Sequence, residues 1–153
     1  KRVINELRVR FAYIFATENR YEGAPSVRVT EVDASTPFTL FGQEVIPIAV
    51  EHGSLPILGY RIGKLAYITD AKHIQEAELS KLYKVDTLVL NALRKAPHPT
   101  HLNIAEAMEI VKEVHPRQAF FTHISQTMGF HAKVQKELPK NVYLAYDKLT
   151  IKI

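Results

Sequence analysis

The hydrophobic period of this chain changes once, close to residue 70, and that change dictates the class of fold open to it. Before it, apolar residues alternate with polar ones: Val27 and Val29, then Phe38 and Leu40, then 45–50 after a Gly42-Gln43 turn, then 57–62 and 65–69 on either side of Gly63-Lys64. A period of two broken by two-residue turns predicts antiparallel strands. Pro47 has no N–H for a ladder, which predicts an edge or a bulge at that point. Beyond Asp70 the pattern predicts a helix over 74–82, a buried strand over 87–90, a helix over 104–114, a strand over 118–122, a helix over 130–138, and a terminal hairpin of 142–145 and 149–153. Asn103 with Glu106 three residues on predicts a capped start for the 104–114 helix, and His115-Pro116 its end. Ahead of the strands, Val3, Leu7, Phe11 and Ile14 stand at helical spacing among basic residues and predict an amphipathic helix over 2–15, followed by a loop over 17–25 that carries Tyr21. A β meander followed by β-α-β-α-β-β predicts an α/β (mixed α+β) fold, a mixed sheet with helices on its outer face.

Composition narrows the function. With 153 residues, 46% of them hydrophobic and 24% charged, the chain is expected to be a single domain, 1–153, with an ordinary core. No cysteine is present, which excludes disulfides, a thiolate nucleophile and Cys-ligated zinc and suits the cytoplasm; a metal would have to sit on His, Asp or Glu. No apolar run reaches the roughly 18 residues of a membrane span. A net charge of +4, evenly scattered, is too small for a nucleic-acid footprint and leaves room for a mildly cationic site for an anionic substrate. Phosphate-loop, dinucleotide-binding and EF-hand patterns are absent. Ser54 stands near His52 without the G-x-S-x-G elbow of a nucleophilic serine.

Three polar groups fall immediately after predicted strands: His52, Asp70 and His123. Strand ends are where rigid scaffolds present ligands and catalytic groups. Two histidines and a carboxylate make a donor set for zinc, manganese or iron(II); equally, a strand-end His serves as a satisfied surface residue, and no local H-x-H spacing joins these three. His101 precedes the Asn103 cap at the positive end of a helix, a place for a general acid or an anion contact, or for local capping alone.

The segments Val50-Glu-His-Gly-Ser-Leu-Pro-Ile-Leu-Gly-Tyr-Arg-Ile62, Ala66-Tyr-Ile-Thr-Asp-Ala71 and Ala119-Phe-Phe-Thr-His-Ile-Ser125 resemble three successive motifs of the metallo-β-lactamase superfamily. The resemblance implies that His52 binds one metal, Asp70 bridges two and His123 binds the second, the two divalent ions being zinc or manganese. His101-Leu-Asn103, Gly129-Phe-His131 and Ala145-Tyr-Asp147 are most similar to the cyclic-phosphodiesterase branch, which implies that His101 is a proton donor or phosphate contact and that His131 also faces substrate. The tRNA 3′-processing nucleases share the His-Gly and Thr-His-Ile-Ser segments, but no basic tRNA-binding arm stands in this chain. The family's H-x-H-x-D-H motif is missing from residues 1–51. The chain is therefore expected to be the C-terminal half of an αββα fold, with its metal site partly occupied or empty by itself and with uncovered apolar surface that favours a homodimer. The expected partner is a small anionic phosphate ester; a lactone, thioester or RNA substrate, and a non-catalytic α/β interaction module, are the alternatives.

Overall fold

Tight turns of left-handed residues set the first four strands side by side. In the computed structural model, which describes residues 2–152, β1 (Phe38–Leu40), β2 (Gln43–His52), β3 (Leu55–Ile62) and β4 (Leu65–Ile68) run antiparallel in sequence order. Gly63, at φ 55°, makes the β3–β4 reversal in open space where a side chain would be strained. From β4 onward the pairing becomes parallel, through β5 (Thr87–Asn91), β6 (Gln118–Thr122) and β7 (Val142–Leu144), giving one seven-stranded mixed sheet in the order 1 to 7.

Parallel neighbours need crossovers, and these are α3 (Glu76–Leu79) with a 3-10 turn at Ser80–Leu82, then α4 (Ile104–Val114), then a 3-10 turn at Gln126–Met128 with α5 (His131–Gln135). Right-handed crossovers that always step in the same direction put their helices on one face of the sheet. The core follows this rule: Ile48, Ile68, Leu88, Leu90, Phe121 and Leu144 of the strands pack in one cluster with Leu79, Leu82, Ala107, Val111 and Val134 of the crossovers. Each large side chain buried there contributes about 1.5–3 kcal/mol.

Pro47 sits on an edge, as its missing N–H requires. β1 covers β2 only as far as Val45. Beyond it, the Ala49 N–H donates to Glu78 Oε2 at 2.6 Å, and Lys81 Nζ donates to Pro47 O at 3.0 Å while pairing with Glu78 at 2.8 Å. A bridge between Glu51 and His73 closes the rest. Side chains of α3 and the 3-10 turn after it thus occupy the backbone groups that an open edge would offer to another strand.

The chain divides into two compact units, Lys1–Asp33 and Ala34–Ile153, and all seven strands lie in the second. The helix expected over 2–15 is two helices, α1 (Arg2–Arg10) and α2 (Ala12–Phe15). No strand forms at 27–31, because alternation supplies a face but not a partner. The 149–153 strand is likewise absent among the described residues; a Tyr146 to Leu149 turn stands there, and Ile153 lies outside the described residues. Helix 130–138 is shorter than expected, as α5. Among the described residues no helix is long and apolar enough to cross a membrane.

Candidate metal centre

Sheet register brings the strand-end residues to one level. Ile68 pairs with Leu90 and Asn91 with Thr122, so the carboxyl ends of β4, β5 and β6 are flush. Asp70 and His123 follow β4 and β6 and both take up left-handed backbone, with φ 60° and 56°. That conformation costs a non-glycine residue about 1 kcal/mol or more, and it turns each side chain out of the strand direction. His52 is the last residue of β2. His101 enters from the loop before α4, and that loop is fixed by a reciprocal cap. The Glu106 N–H donates to Asn103 Oδ1 and the Asn103 N–H to Glu106 Oε2, both at 2.8 Å, while Lys72 Nζ lies 2.7 Å from Glu106 Oε1.

These four residues converge. His123 Nε2 lies 3.2 Å and His101 Nε2 3.4 Å from the same oxygen, Asp70 Oδ1. The His101 ring stacks on that of His123 at 4.7 Å and meets that of His52 edge-on at 4.6 Å. His52 Nδ1 stands 3.0 Å from both the Asp70 and the Thr100 carbonyl oxygens. Carbonyls only accept, so Nδ1 carries a proton, and it is Nε2 that is left to ligate a metal. Behind His101, its Nδ1 is 3.0 Å from Thr100 Oγ1 and 3.2 Å from His98 Nδ1.

The donors fit a divalent cation. One ligand atom each of Asp70, His101 and His123 lies within 4.8 Å of the others, half-buried for the first two and exposed for the third. Desolvation holds the His101 imidazole below its ordinary pKa, assisted by His123, His52 and His98 and opposed by Asp70. His98 is also lowered, by desolvation and then by the Arg94 and Lys72 charges. A neutral ring is what ligation to a metal requires. The absence of thiolate leaves a set of imidazole and carboxylate, suited to zinc or manganese.

Of the residues singled out in the sequence, His52, Asp70, His101 and His123 are gathered here. His131 lies against the end of β7, with Nε2 3.0 Å from Leu144 O and its ring edge-on to Tyr146. Thr100, His98 and Asn91 are present without having been singled out. The Pro97-His-Pro-Thr-His101 run was a signal for the first two, since two histidines three residues apart across a proline turn can face one another.

The β-lactamase superfamily domain matches residues 1–124. A diphosphatase of the PhnP family is 34% identical, with a TM-score of 0.85 over 98% of this chain and 55% of that one. An octanoyltransferase of Porphyromonas gingivalis is 33% identical over 96% of this chain and 30% of its own length. The metallo-β-lactamase-fold protein YhfI of Bacillus subtilis (21% identity, TM-score 0.63, 74% of this chain and 50% of that one) and human short-form tRNase Z (20%, 0.60, 76% and 44%) share the fold. The chain thus spans about half the length of the diphosphatase and under a third of the octanoyltransferase.

Proposed function

This chain belongs to the metallo-β-lactamase superfamily, and from that premise we propose that the protein containing it is a metal-dependent phosphodiesterase acting on a small, anionic phosphate ester of the cyclic kind. The observation that carries the reading is the convergence of His101 and His123 on one oxygen of Asp70, with the His52 ring against His101. Following the family pattern, His52, Asp70 and His123 would hold the divalent ions, and His101, whose Nε2 lies 3.4 Å from the same Asp70 oxygen, is left to the substrate. Divalent ions held there would supply Lewis-acid polarisation of a phosphoryl group and lower the pKa of water.

The chain's own residues do the rest. His52, fixed in one tautomer by two carbonyls, presents Nε2 without reorganisation. Asp70 offers a carboxylate between the two flanking imidazoles. His101, kept neutral by desolvation and its neighbours, is suited to hold the phosphoryl group through a ring N–H rather than to carry a standing charge. Thr100 and His98 brace its far nitrogen, and the Arg94 charge acts on the His98 ring behind it.

The test is His101→Gln in the full-length protein, assayed on a bis(aryl) phosphate with metal content measured on the same sample. We expect metal content unchanged and turnover lower by about 10²-fold or more. Full turnover overturns the role of His101, and loss of a metal equivalent makes it a ligand instead. A wild-type protein that takes up no metal overturns the hydrolase reading itself.

A further inference from the structure

We infer that Asn91, at the end of β5, is a positioning residue that locks the Asp70 turn into its metal-holding geometry. This rests on the reading of Asp70 as a metal ligand given above. Asn91 is fully buried, a rare place for a carboxamide. Its Oδ1 accepts from the Ala71 N–H at 2.8 Å and its Nδ2 donates to the Ala71 carbonyl at 2.9 Å. Both halves of the amide are therefore used, and both on the residue next to Asp70.

The physical reason lies in the backbone. The β4–β5 ladder stops at Ile68 and Leu90. At Asp70 the chain turns left-handed, φ 60°, and leaves the strand direction, so the peptide groups of Ala71 have no strand opposite them. The Asn91 side chain stands in for that strand, presenting one acceptor and one donor as a peptide would. Without it, the buried Ala71 N–H loses its partner and the Ala71 carbonyl keeps only the Leu102 N–H, so the left-handed turn has less to hold it against relaxation toward ordinary backbone.

The same short segment reaches the other site-bearing loops. The Ala71 carbonyl also accepts from the N–H of Leu102, the residue after His101, at 2.8 Å. The Leu93 N–H donates to the Leu102 carbonyl, the Ala92 N–H to the carbonyl of Thr122, which precedes His123, and the Ser125 N–H to Leu93. Residues 91–93 are thus a hub, and Asn91 is the member of it that acts through a side chain and can be replaced.

A buried polar group of this kind also serves folding, so the experiment separates the two roles. Asn91→Leu removes both hydrogen bonds while keeping the number and branching of the side chain's heavy atoms. Thr87→Val, at the opposite end of the same strand, removes another buried polar group, the acceptor of a 2.9 Å bond from Gln118, far along the strand from Asp70. In the full-length protein, Zn²⁺ and Mn²⁺ affinity is measured by competition with a chromophoric chelator, and stability by urea unfolding of the metal-free form. We expect Asn91→Leu to weaken metal affinity at least tenfold and Thr87→Val to change it less than twofold. Asn91→Asp, which keeps the acceptor and loses the donor, carries the same test if the leucine variant does not fold. Affinity within twofold of wild type in the Asn91 variants, or an equal loss in Thr87→Val, overturns the inference. A wild-type protein without metal affinity instead overturns the reading it rests on.

Discussion

Replacing Glu106 with Gln asks whether the turn after Asp70 and the start of α4 are held together by charge. Gln keeps an oxygen for the Asn103 N–H and replaces the oxygen that accepts from Lys72 Nζ at 2.7 Å with an amide NH2, so the negative charge and that hydrogen bond go together. The pair is partly exposed, with 26% and 37% of the two side chains accessible, and such pairs contribute about 0.2–1 kcal/mol. A carboxylate in the first turn of a helix adds about 0.3–1 kcal/mol. The variant should therefore lose about 0.5–2 kcal/mol at pH 7, which at a urea slope of about 2 kcal/mol per molar moves the midpoint by roughly 0.25–1 M. Its pH dependence fixes the cause. Burial pushes the Glu106 carboxyl up, but the Lys72 hydrogen bond, the Asn103 N–H and the Lys72 charge together outweigh it and hold the group below its ordinary value. A carboxyl whose pKa is depressed on folding contributes stability that is present above the unfolded value, about 4.3, and is lost as pH falls through the folded one. Urea curves of the metal-free wild type and variant should thus stand apart at pH 7 and approach one another below about pH 4.3. A gap that is the same at both ends of this range, or no gap at pH 7 in low salt, refutes the argument.

Two further substitutions probe the site's frame. Gly53→Ala places a Cβ at φ 59° and 2.9 Å from Thr100 Cγ2, pressing on the residue whose carbonyl fixes His52; a stability loss of about 1 kcal/mol or more is expected, and an unchanged melting temperature would sink the prediction. Asp70→Asn keeps shape and tolerates the left-handed backbone; metal-free stability within about 0.5 kcal/mol of wild type, with Zn²⁺ or Mn²⁺ uptake reduced by at least one equivalent, is expected by urea unfolding and elemental analysis. Failure of the asparagine variant to fold contradicts the view that backbone ties hold the turn.

The strands were legible because their information is local. Alternation and turn glycines place β1 to β4, and the Asn103-x-x-Glu106 pattern marks the start of α4 with its cap, as the hydrogen bonds bear out. The run at 27–31 misled because alternation is a property of one segment and pairing is a property of two. Helix and strand alternation after Asp70 likewise gave the parallel crossovers, but 149–152 has the composition of a strand and no partner among the described residues. Asn91 was invisible for a related reason. In sequence it closes an apolar run, Thr87-Leu-Val-Leu90, and its meaning depends on Ala71, twenty residues earlier. The tautomer of His52 could not be read either, since it is fixed by carbonyls 18 and 48 positions away.

The four residues converge without a local H-x-H spacing. Ligands on a single helix or strand converge through their spacing in the chain; Asp70 and His123 converge through sheet register, which sets the ends of β4, β5 and β6 level whatever the lengths of the crossovers between them, while His101 is brought in by the capped loop before α4 and His52 by its ties to the Asp70 and Thr100 carbonyls. The left-handed turns at Asp70 and His123 that aim the ligands also strip neighbouring peptide groups of their ladder partners. Buried peptide groups must be satisfied, and here the side chains that satisfy them adjoin the site: Asn91 takes both groups of Ala71, His52 takes the carbonyls of Asp70 and Thr100, and Glu106 takes the N–H of Asn103. Backbone accounting and ligand placement are therefore one problem. For His52 the two coincide in a single ring, where the nitrogen that serves the backbone decides which nitrogen is free for a metal.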